Sequence, residues 1–261
     1  MERRRLGRTG HESSVAVLGG AACWAATVEE AGDWLQLAGA AESVVGPHLA
    51  AHRDELFIAG KTLRANPDGV SDQFDTTRRL LNAEVLDLYQ AHAVTSLEEL
   101  DRRSAALERI LQLRDAGHTR FAGITGHDVE VPRAHLEALR RFDLDTVMFP
   151  VYPALWARHE YREPAEELLA LCAERDVGVM AIKAVARRPW ADRRPLADAV
   201  AGSPATADRW ADSWYEPAAT DDEIDRGVHF ALSTPGVHAF CTPGDIALLP
   251  RVLASAERYR P

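Results

Sequence analysis

Lys61, His92 and Lys183 each stand at the end of a short apolar run, and all three side chains suit carbonyl chemistry. A lysine amine can form an imine with a carbonyl compound or stabilise negative charge, and an imidazole can move a proton. Burial of an unpaired ammonium is costly, so each lysine must be neutralised or paired. A structural interpretation also stays open, in which a neighbouring carboxylate such as Asp87 forms a salt bridge with a lysine.

The elements that carry these residues are seven apolar runs that alternate with amphipathic segments. The runs are rich in Val, Ile, Leu, Phe and Met and lack strict alternation, which is typical of strands buried on both faces of a parallel sheet. They are residues 15–18, 56–61, 85–92, 120–125, 146–150, 177–183 and 237–241. Segments with helical spacing lie at 28–38, 42–52, 70–83, 103–116, 131–141, 164–175, 222–233 and 246–259.

This order of strands and helices is typical of a (β/α)8 TIM-type barrel or of a doubly wound sheet, in a single α/β domain over residues 1–261. The phosphate-binding pattern GxGxxG is absent, which argues against a dinucleotide-binding doubly wound sheet. In a barrel the carboxyl ends of the strands carry the chemistry, so Lys61, His92 and Lys183 should face one opening. His127 lies in a loop, where we expect it to face solvent.

Composition excludes several classes of protein. The chain is 46% hydrophobic and 27% charged, which is ordinary for a globular domain. A formal net charge of −10 argues against a broad nucleic-acid interface, and no apolar run is long enough to predict a membrane span. The three cysteines are widely spaced, so we predict neither a zinc site nor a disulfide framework, and we expect a cytoplasmic location.

Several segments resemble the aldo-keto reductase family. The specific ones are FIAGKT at 57–62, which contains Lys61, and LDLYQAH at 86–92, which ends at His92. Weaker similarities are LGRTG at 6–10, the GxxRxxGxS pattern within 117–127, and TPG at 242–244. The similarity follows the family's order along nearly the whole chain.

The resemblance implies a (β/α)8 barrel that binds NADPH without a Rossmann domain and reduces a carbonyl group of a small molecule. It implies Lys61 and His92 as members of an Asp–Tyr–Lys–His tetrad, in which the tyrosine donates the proton. The cofactor would be held by Thr125, Gly126, Thr242 and Gly244, and the substrate pocket would include Trp24, Lys183 and Trp190.

The sequence departs from the family where the aspartate and tyrosine belong, in a segment resembling GxxxxDTAxxYGxxE. Without a gap, Asp33 takes the place of the aspartate and Ala38 that of the tyrosine. With a gap, 28–38 is a helix that begins at a Thr27/Glu30 capping box, and the second strand is missing; we favour this alternative. Tyr89 lies three residues before His92, so it should point to the opposite face. We therefore predict a breached or rearranged barrel wall, with dimerisation across its edges as a further hypothesis.

Three functions remain open on the sequence alone. The first is a reductase in which His92 or a water supplies the proton. The second is a redox-silent lyase, dehydratase or cyclase that uses Lys61, His92 and Lys183, and the third is a non-catalytic binding protein. The segment DIAL at 245–248 replaces the basic residues with which the family holds the 2′-phosphate, which argues against a preference for NADPH and leaves the binding of any cofactor open.

Overall fold

The protein was analysed as a computed structural model that describes residues 1–20, 41–43, 45–47, 49, 52–189, 215–245 and 247–261. Its strands are β1 (Arg3–Arg5), β2 (Glu12–Ser14), β3 (Ala16–Val17), β4 (Ala59–Thr62), β5 (Leu86–Ala91), β6 (Thr119–Thr125), β7 (Thr146–Pro150), β8 (Gly178–Ile182), β9 (Ala186–Arg188), β10 (Glu216–Pro217) and β11 (Ala239–Cys241). Its helices are α1 (Pro67–Leu81), α2 (Leu97–Arg102), α3 (Ser104–Asp115), α4 (Val131–Arg141), α5 (Pro153–Trp156), α6 (His159–Glu174), α7 (Asp221–Ser233) and α8 (Leu249–Arg258). Residues 41–43, 45–47 and 49 are also helical.

Seven strands form one parallel sheet in the order β3-β11-β8-β7-β6-β5-β4. Each overlaps one of the seven apolar runs, so the predicted strands and the barrel-type fold are confirmed. Within the described residues β3 and β4 are edge strands that do not pair with each other, so the barrel wall is incomplete between them. The two alternatives for the second strand both fall on residues 21–40, which lie outside the described residues.

The helices begin and end at residues whose chemistry the sequence makes visible. At the start of α1, the Asn66 side chain accepts a hydrogen bond of 2.8 Å from the Gly69 amide. After α3, Gly117 has a φ of +78°, the left-handed conformation predicted for a glycine that follows a helix. None of the helices in the described ranges is long and apolar enough to cross a bilayer.

Side chains fill the inside of the barrel, so a functional site can lie only at one of its ends. The interior cluster consists of Leu6, Leu88, Met148, Met180 and Ile182. Nearer the carboxyl ends of the strands, the Gln90 amide donates a 3.2 Å hydrogen bond to the Thr146 hydroxyl, and both side chains are fully buried. Gly123 makes room for this contact, because a Cβ there would lie 2.2 Å from Thr146 Oγ1. The barrel is therefore a packed core rather than a pore.

A short antiparallel hairpin of β1 and β2 is packed against the amino end of β8. Its turn brings Leu6 into the interior cluster, and Arg8 Nε donates a 2.8 Å hydrogen bond to buried Asp145. The sequence analysis did not predict this hairpin, because β1 is three consecutive arginines and carries no apolar pattern. The hairpin leaves the opposite end, at the carboxyl ends of the strands, as the place for a site. We call that end the mouth.

Candidate active site

Lys61 and His92 lie side by side at the mouth because their strands are parallel neighbours. Lys61 is opposite Gln90 in the register of β4 and β5, and the His92 amide donates a 2.8 Å hydrogen bond to the Thr62 carbonyl. No acceptor or carboxylate within the described ranges forms a hydrogen bond or ion pair with the Lys61 ammonium. Lys61 is thus a half-buried cation whose hydrogen-bond donors no other described residue occupies.

His127 is the second imidazole of the site. Its Nε2 lies 2.9 Å from His92 Nε2, so one ring donates and the other accepts. Burial, followed by the charge of Lys61, lowers the pKa of His92 well below its usual value. Burial, followed by the charges of Lys183 and Lys61, lowers the pKa of His127 to about 3. Both rings are therefore neutral at pH 7, and the expectation that His127 faces solvent is wrong.

Lys183 follows β8 and completes the cluster. Its Nζ donates a 2.7 Å hydrogen bond to the backbone carbonyl of His127. Burial lowers the pKa of this amine, and the charge of Asp128 opposes that change. The backbone of Lys183 has a φ of +63°, and Ala93, directly after His92, has a φ of +59°. Non-glycine residues in this conformation are uncommon and are concentrated at functional sites.

The salt-bridge interpretation of the lysines is wrong, because Asp87 lies at the other end of β5. Its carboxylate is 3.0 Å from both Arg53 and Arg120 and accepts a 2.8 Å hydrogen bond from the Ile58 amide. Within the described ranges, no carboxylate comes within 4 Å of either lysine. The interaction of Asp87 therefore stabilises the barrel wall and leaves both ammonium groups at the mouth.

Glu42 is a partly buried carboxylate on which the charge of Lys61 acts, and it was not among the residues expected at the site. Burial raises its pKa, whereas its hydrogen bond from Thr77 (3.3 Å) and the charge of Lys61 lower it. A signal was present, because in the ungapped alignment Glu42 occupies the final glutamate of the family's GxxE segment. Glu42 thus supplies a carboxylate on the α1 side of Lys61.

A model of the aldo/keto reductase family matches residues 37–219, more than two thirds of the chain. The chain belongs to the aldo/keto reductase family. Solved structures agree at the level of fold. A Pseudomonas aeruginosa protein described as an aldo-keto reductase is 17% identical with a TM-score of 0.68, and the alignment covers 97% of this chain and 94% of that one.

Two further aldo-keto reductase structures are similar. The holo form from Bacillus halodurans is 18% identical with a TM-score of 0.66, over all of this chain and 92% of that one. A Klebsiella pneumoniae aldo/keto reductase in complex with NADP and acetate is 18% identical with a TM-score of 0.58, over all of this chain and 92% of that one. At such identities these structures support the fold alone. No curated protein matches the sequence.

The five tyrosines of the chain all belong to the described residues. Among these residues, Tyr89, Tyr152, Tyr161 and Tyr259 form no hydrogen bond with the side chain of Lys61 or His92. Tyr89 packs against Phe74 of α1, with ring centroids 4.8 Å apart, on the outer face of β5 as its spacing predicts. Tyr89 therefore points away from the side chains of Lys61 and His92.

The residues expected to hold the nicotinamide end of the cofactor lie next to His92 and His127. Thr125 ends β6, and its hydroxyl accepts a 3.4 Å hydrogen bond from the Ala93 amide. A Cβ at Gly126 would lie 2.7 Å from the Val94 carbonyl, so glycine is required for the two loops to pack together. Thr125 is fully buried, so of these groups only the partly exposed His127 side chain could contact a ligand at the mouth.

The residues expected near the phosphates of the cofactor are less suited to binding negative charge. Thr242 Oγ1 accepts a 3.0 Å hydrogen bond from the Gly19 amide, which ties the loop after β3 to the loop after β11. Gly244 forms a bend in the same loop. Asp245 is buried, and its carboxylate accepts a 2.8 Å hydrogen bond from the Ala247 amide. A carboxylate at this place would repel the 2′-phosphate of NADP.

Of the three residues expected to line the substrate pocket, the structure brings one to the cluster. Lys183 lies beside His127 at the mouth. Trp24 and Trp190 lie outside the described residues. A stronger signal for Lys183 was available in the sequence, because Lys61 and Lys183 are the only lysines among the 30 lysine and arginine residues of the chain.

The neutral histidines make the stability of the protein depend on pH. The pKa values of His127 and His135 are about 3 when folded, against about 6.5 when exposed. Below pH 6.5 the unfolded chain takes up protons that the folded chain does not, so the free energy of unfolding should fall from pH 7.5 to pH 5. Urea unfolding at the two pH values measures this fall.

The matched control for this prediction compares a buried with an exposed histidine. His127→Gln removes one of the titrating groups, so the fall in stability between the two pH values should be smaller than in the native chain. His159→Gln, at a side chain that is 74% exposed, should leave the fall unchanged. Equal falls in the native chain and in His127→Gln would contradict the assignment of His127 as a buried neutral ring.

Proposed function

We propose that this aldo/keto reductase reduces the carbonyl group of a small molecule and that Lys61 donates the proton in place of the missing tyrosine. The observation that supports this best is the Lys61 ammonium beside His92 at the mouth, which has no hydrogen-bond or ion-pair partner among the described residues. An ammonium supplies both requirements of the reacting oxygen, a positive charge and a proton.

The chain's residues divide the work of the reaction. The carbonyl oxygen would bind to the N–H groups of Lys61, with the neutral rings of His92 and His127 beside it. When bound, a nicotinamide cofactor would supply a hydride to the carbonyl carbon. The carbon–oxygen π pair then moves to the oxygen, which takes a proton from Lys61, and the neutral amine regains a proton from solvent. The product is an alcohol.

The cofactor in this proposal is a nicotinamide dinucleotide held without strong selection for the 2′-phosphate. The Klebsiella pneumoniae relative was solved with NADP, which supports a dinucleotide site in this fold. His127 is suited to the nicotinamide end, whereas Asp245 disfavours a second negative charge at the phosphate end. We therefore expect NADH to bind at least as tightly as NADPH.

Fluorescence titration of the full chain tests this expectation. Both cofactors should quench tryptophan fluorescence saturably, and NADPH should bind no more tightly than NADH. Asp245→Arg should tighten NADPH binding and leave NADH binding unchanged, since the added charge faces only the 2′-phosphate. Absence of binding of both cofactors at millimolar concentration would rule out the proposed reduction.

A second candidate is a redox-silent enzyme on the same scaffold, such as a lyase, dehydratase or cyclase. The missing tyrosine supports it, and so does the lowered pKa of the Lys183 amine, because a neutral amine can attack a carbonyl group to form an imine and release water. Treatment with a carbonyl compound and borohydride would trap such an adduct as a secondary amine. Mass spectrometry would assign it to Lys61 or Lys183.

The assembly and location of the protein are also proposals. The open edges of β3 and β4 within the described residues support dimerisation through added strand pairing, which sedimentation of the full chain would test. Cys172 and Cys241 are free thiols, which suits the cytoplasm as the place of action.

A further inference from the structure

The placement of lysine in this chain is selective. The sequence has 30 lysine and arginine residues, and only Lys61 and Lys183 are lysines. Arginines form the described ion pairs on the surface and at the ends of the barrel strands, including those of Asp87, Asp145 and Asp176. Lys61 instead lies near the carboxyl end of β4, and Lys183 directly follows β8. The mouth is therefore where the chain requires a compact ammonium rather than a structural guanidinium.

The positive charge of Lys183 is not balanced within the described part of the chain. Its Nζ donates to a neutral acceptor, the His127 carbonyl, and no carboxylate lies within 4 Å. Asp128, the carboxylate whose charge acts on Lys183, is exposed to solvent. His92 and His127 carry no charge at neutral pH, because burial lowers the pKa of each. Within the described residues, the Lys183 ammonium thus lies at the mouth with no carboxylate in contact with it, in a molecule whose net charge is −10.

Lys183 is also held firmly in position. Its carbonyl accepts a 2.8 Å hydrogen bond from the Ala186 amide, which closes a tight turn after β8. Helix α7 packs directly on this turn, since a Cβ at Gly227 would lie 2.2 Å from the Ala184 carbonyl. The turn forces Lys183 into the left-handed backbone conformation. Such a fixed and strained backbone aims the side chain across the mouth towards His127.

We propose that Lys183 binds a carboxylate or phosphate group of the substrate, so that the compound reduced beside Lys61 and His92 is an anionic aldehyde or ketone. This inference rests on the proposed function and specifies its substrate class. His127 joins the two places, because its ring contacts His92 and its carbonyl accepts the Lys183 hydrogen bond. Because His127 alone joins His92 to Lys183, the arrangement suits a small molecule in which a few bonds separate the carbonyl group from the anionic group.

Turnover of matched substrates is the first test. We expect the native chain to prefer 4-oxobutanoate over butanal, which has the same carbon chain without the carboxylate. Lys183→Met should lower kcat/KM for 4-oxobutanoate by about 10- to 100-fold more than it lowers kcat/KM for butanal, the usual value of a charge-assisted hydrogen bond. Lys183→Arg should restore part of the preference. Arg162→Met, which removes an exposed charge from α6, should change neither substrate.

Binding of unreactive anions is the second test, and it does not require turnover. Succinate and inorganic phosphate are the probes, used with the native chain by calorimetry. We expect at least one of them to bind, and Lys183→Met to weaken that binding about 10-fold or more. Failure of all carbonyl turnover together with Lys183-dependent succinate or phosphate binding would refute the proposed reduction and support the anion site.

Chemical labelling of the native chain covers the case in which Lys183→Met does not fold. Reductive methylation can modify only Lys61, Lys183 and the terminal amine, and mass spectrometry resolves the three. Succinate or phosphate should slow modification of Lys183, whereas butane-1,4-diol should not. An unchanged rate with both anions would overturn the proposal.

Two other outcomes would also overturn it. If Lys183→Met weakens NADH binding and leaves the preference for 4-oxobutanoate intact, Lys183 holds the cofactor diphosphate instead of the substrate. If borohydride traps the aldehyde on Lys183, the residue acts as a neutral amine nucleophile instead of an ammonium that binds anions.

Discussion

Lys61→Met should lower kcat for carbonyl reduction by about 10²–10³-fold, the usual effect of removing one group that stabilises an oxyanion. The side chain keeps a similar length and apolar stem, so only the charge and the N–H donors are lost. No carboxylate of the described residues lies within 4 Å of the Lys61 ammonium, and Glu42, on which its charge acts, keeps the hydrogen bond from Thr77, so the fold should be retained. Stopped-time assays at saturating cofactor measure the effect.

Lys61→Arg is the matched variant for this prediction. The guanidinium keeps the positive charge but does not give up a proton in proteins, so kcat should fall below that of the native chain. The affinity for NADH should be the same in the native chain, Lys61→Met and Lys61→Arg, since the proposal gives Lys61 no part in holding the cofactor. A Lys61→Met protein that keeps native kcat would show that the proton and the charge come from another group.

Asp87→Ala should lower the free energy of unfolding by about 2–4 kcal/mol, the range for removing one partner of a buried ion pair when the other partners are partly exposed. The Asp87 side chain is 4% exposed, whereas those of Arg53 and Arg120 are 29% and 58% exposed. The substitution also leaves the Ile58 amide, just before β4, without its acceptor. Urea unfolding followed by circular dichroism measures the change.

Asp72→Ala serves as the control, because Asp72 is an exposed carboxylate of α1 for which the described chain has no ion-pair partner. Its stability should stay within about 0.5 kcal/mol of the native value. A loss after Asp87→Ala no larger than that of the control would mean that solvent replaces the three contacts of Asp87 without cost.

The barrel strands could be predicted from sequence because burial on both faces leaves a local signature. Residues 146–150, for example, are apolar at nearly every position and form β7 with those bounds. The β1/β2 hairpin could not, since its arginines find their partners far along the chain, as in the ion pair of Arg5 with Asp176. Non-local charge pairing has no periodicity to detect.

The candidate site was predictable where a residue type and a strand end coincide, as at Lys61 and His92. His127 was not, because the direction of a loop side chain depends on contacts with other segments. Here the Lys183 ammonium fixes the His127 carbonyl and His92 holds its ring. Trp24 and Trp190 stay predictions, as does the cofactor role of Thr125, Gly126, Thr242 and Gly244.

The restriction of lysine to two positions has a practical consequence for handling the protein. Amine-directed reagents, such as activated-ester dyes, aldehyde fixatives and amine-coupling resins, have no other side chains to react with. These reagents would attach to Lys61 or Lys183 and block the opening of the barrel, or they would attach to the amino-terminal amine. Coupling through thiols or carboxylates would leave the amines of Lys61 and Lys183 unmodified. Acetylation of either amine in a cell would likewise neutralise the pocket directly, with no need for a separate regulatory surface.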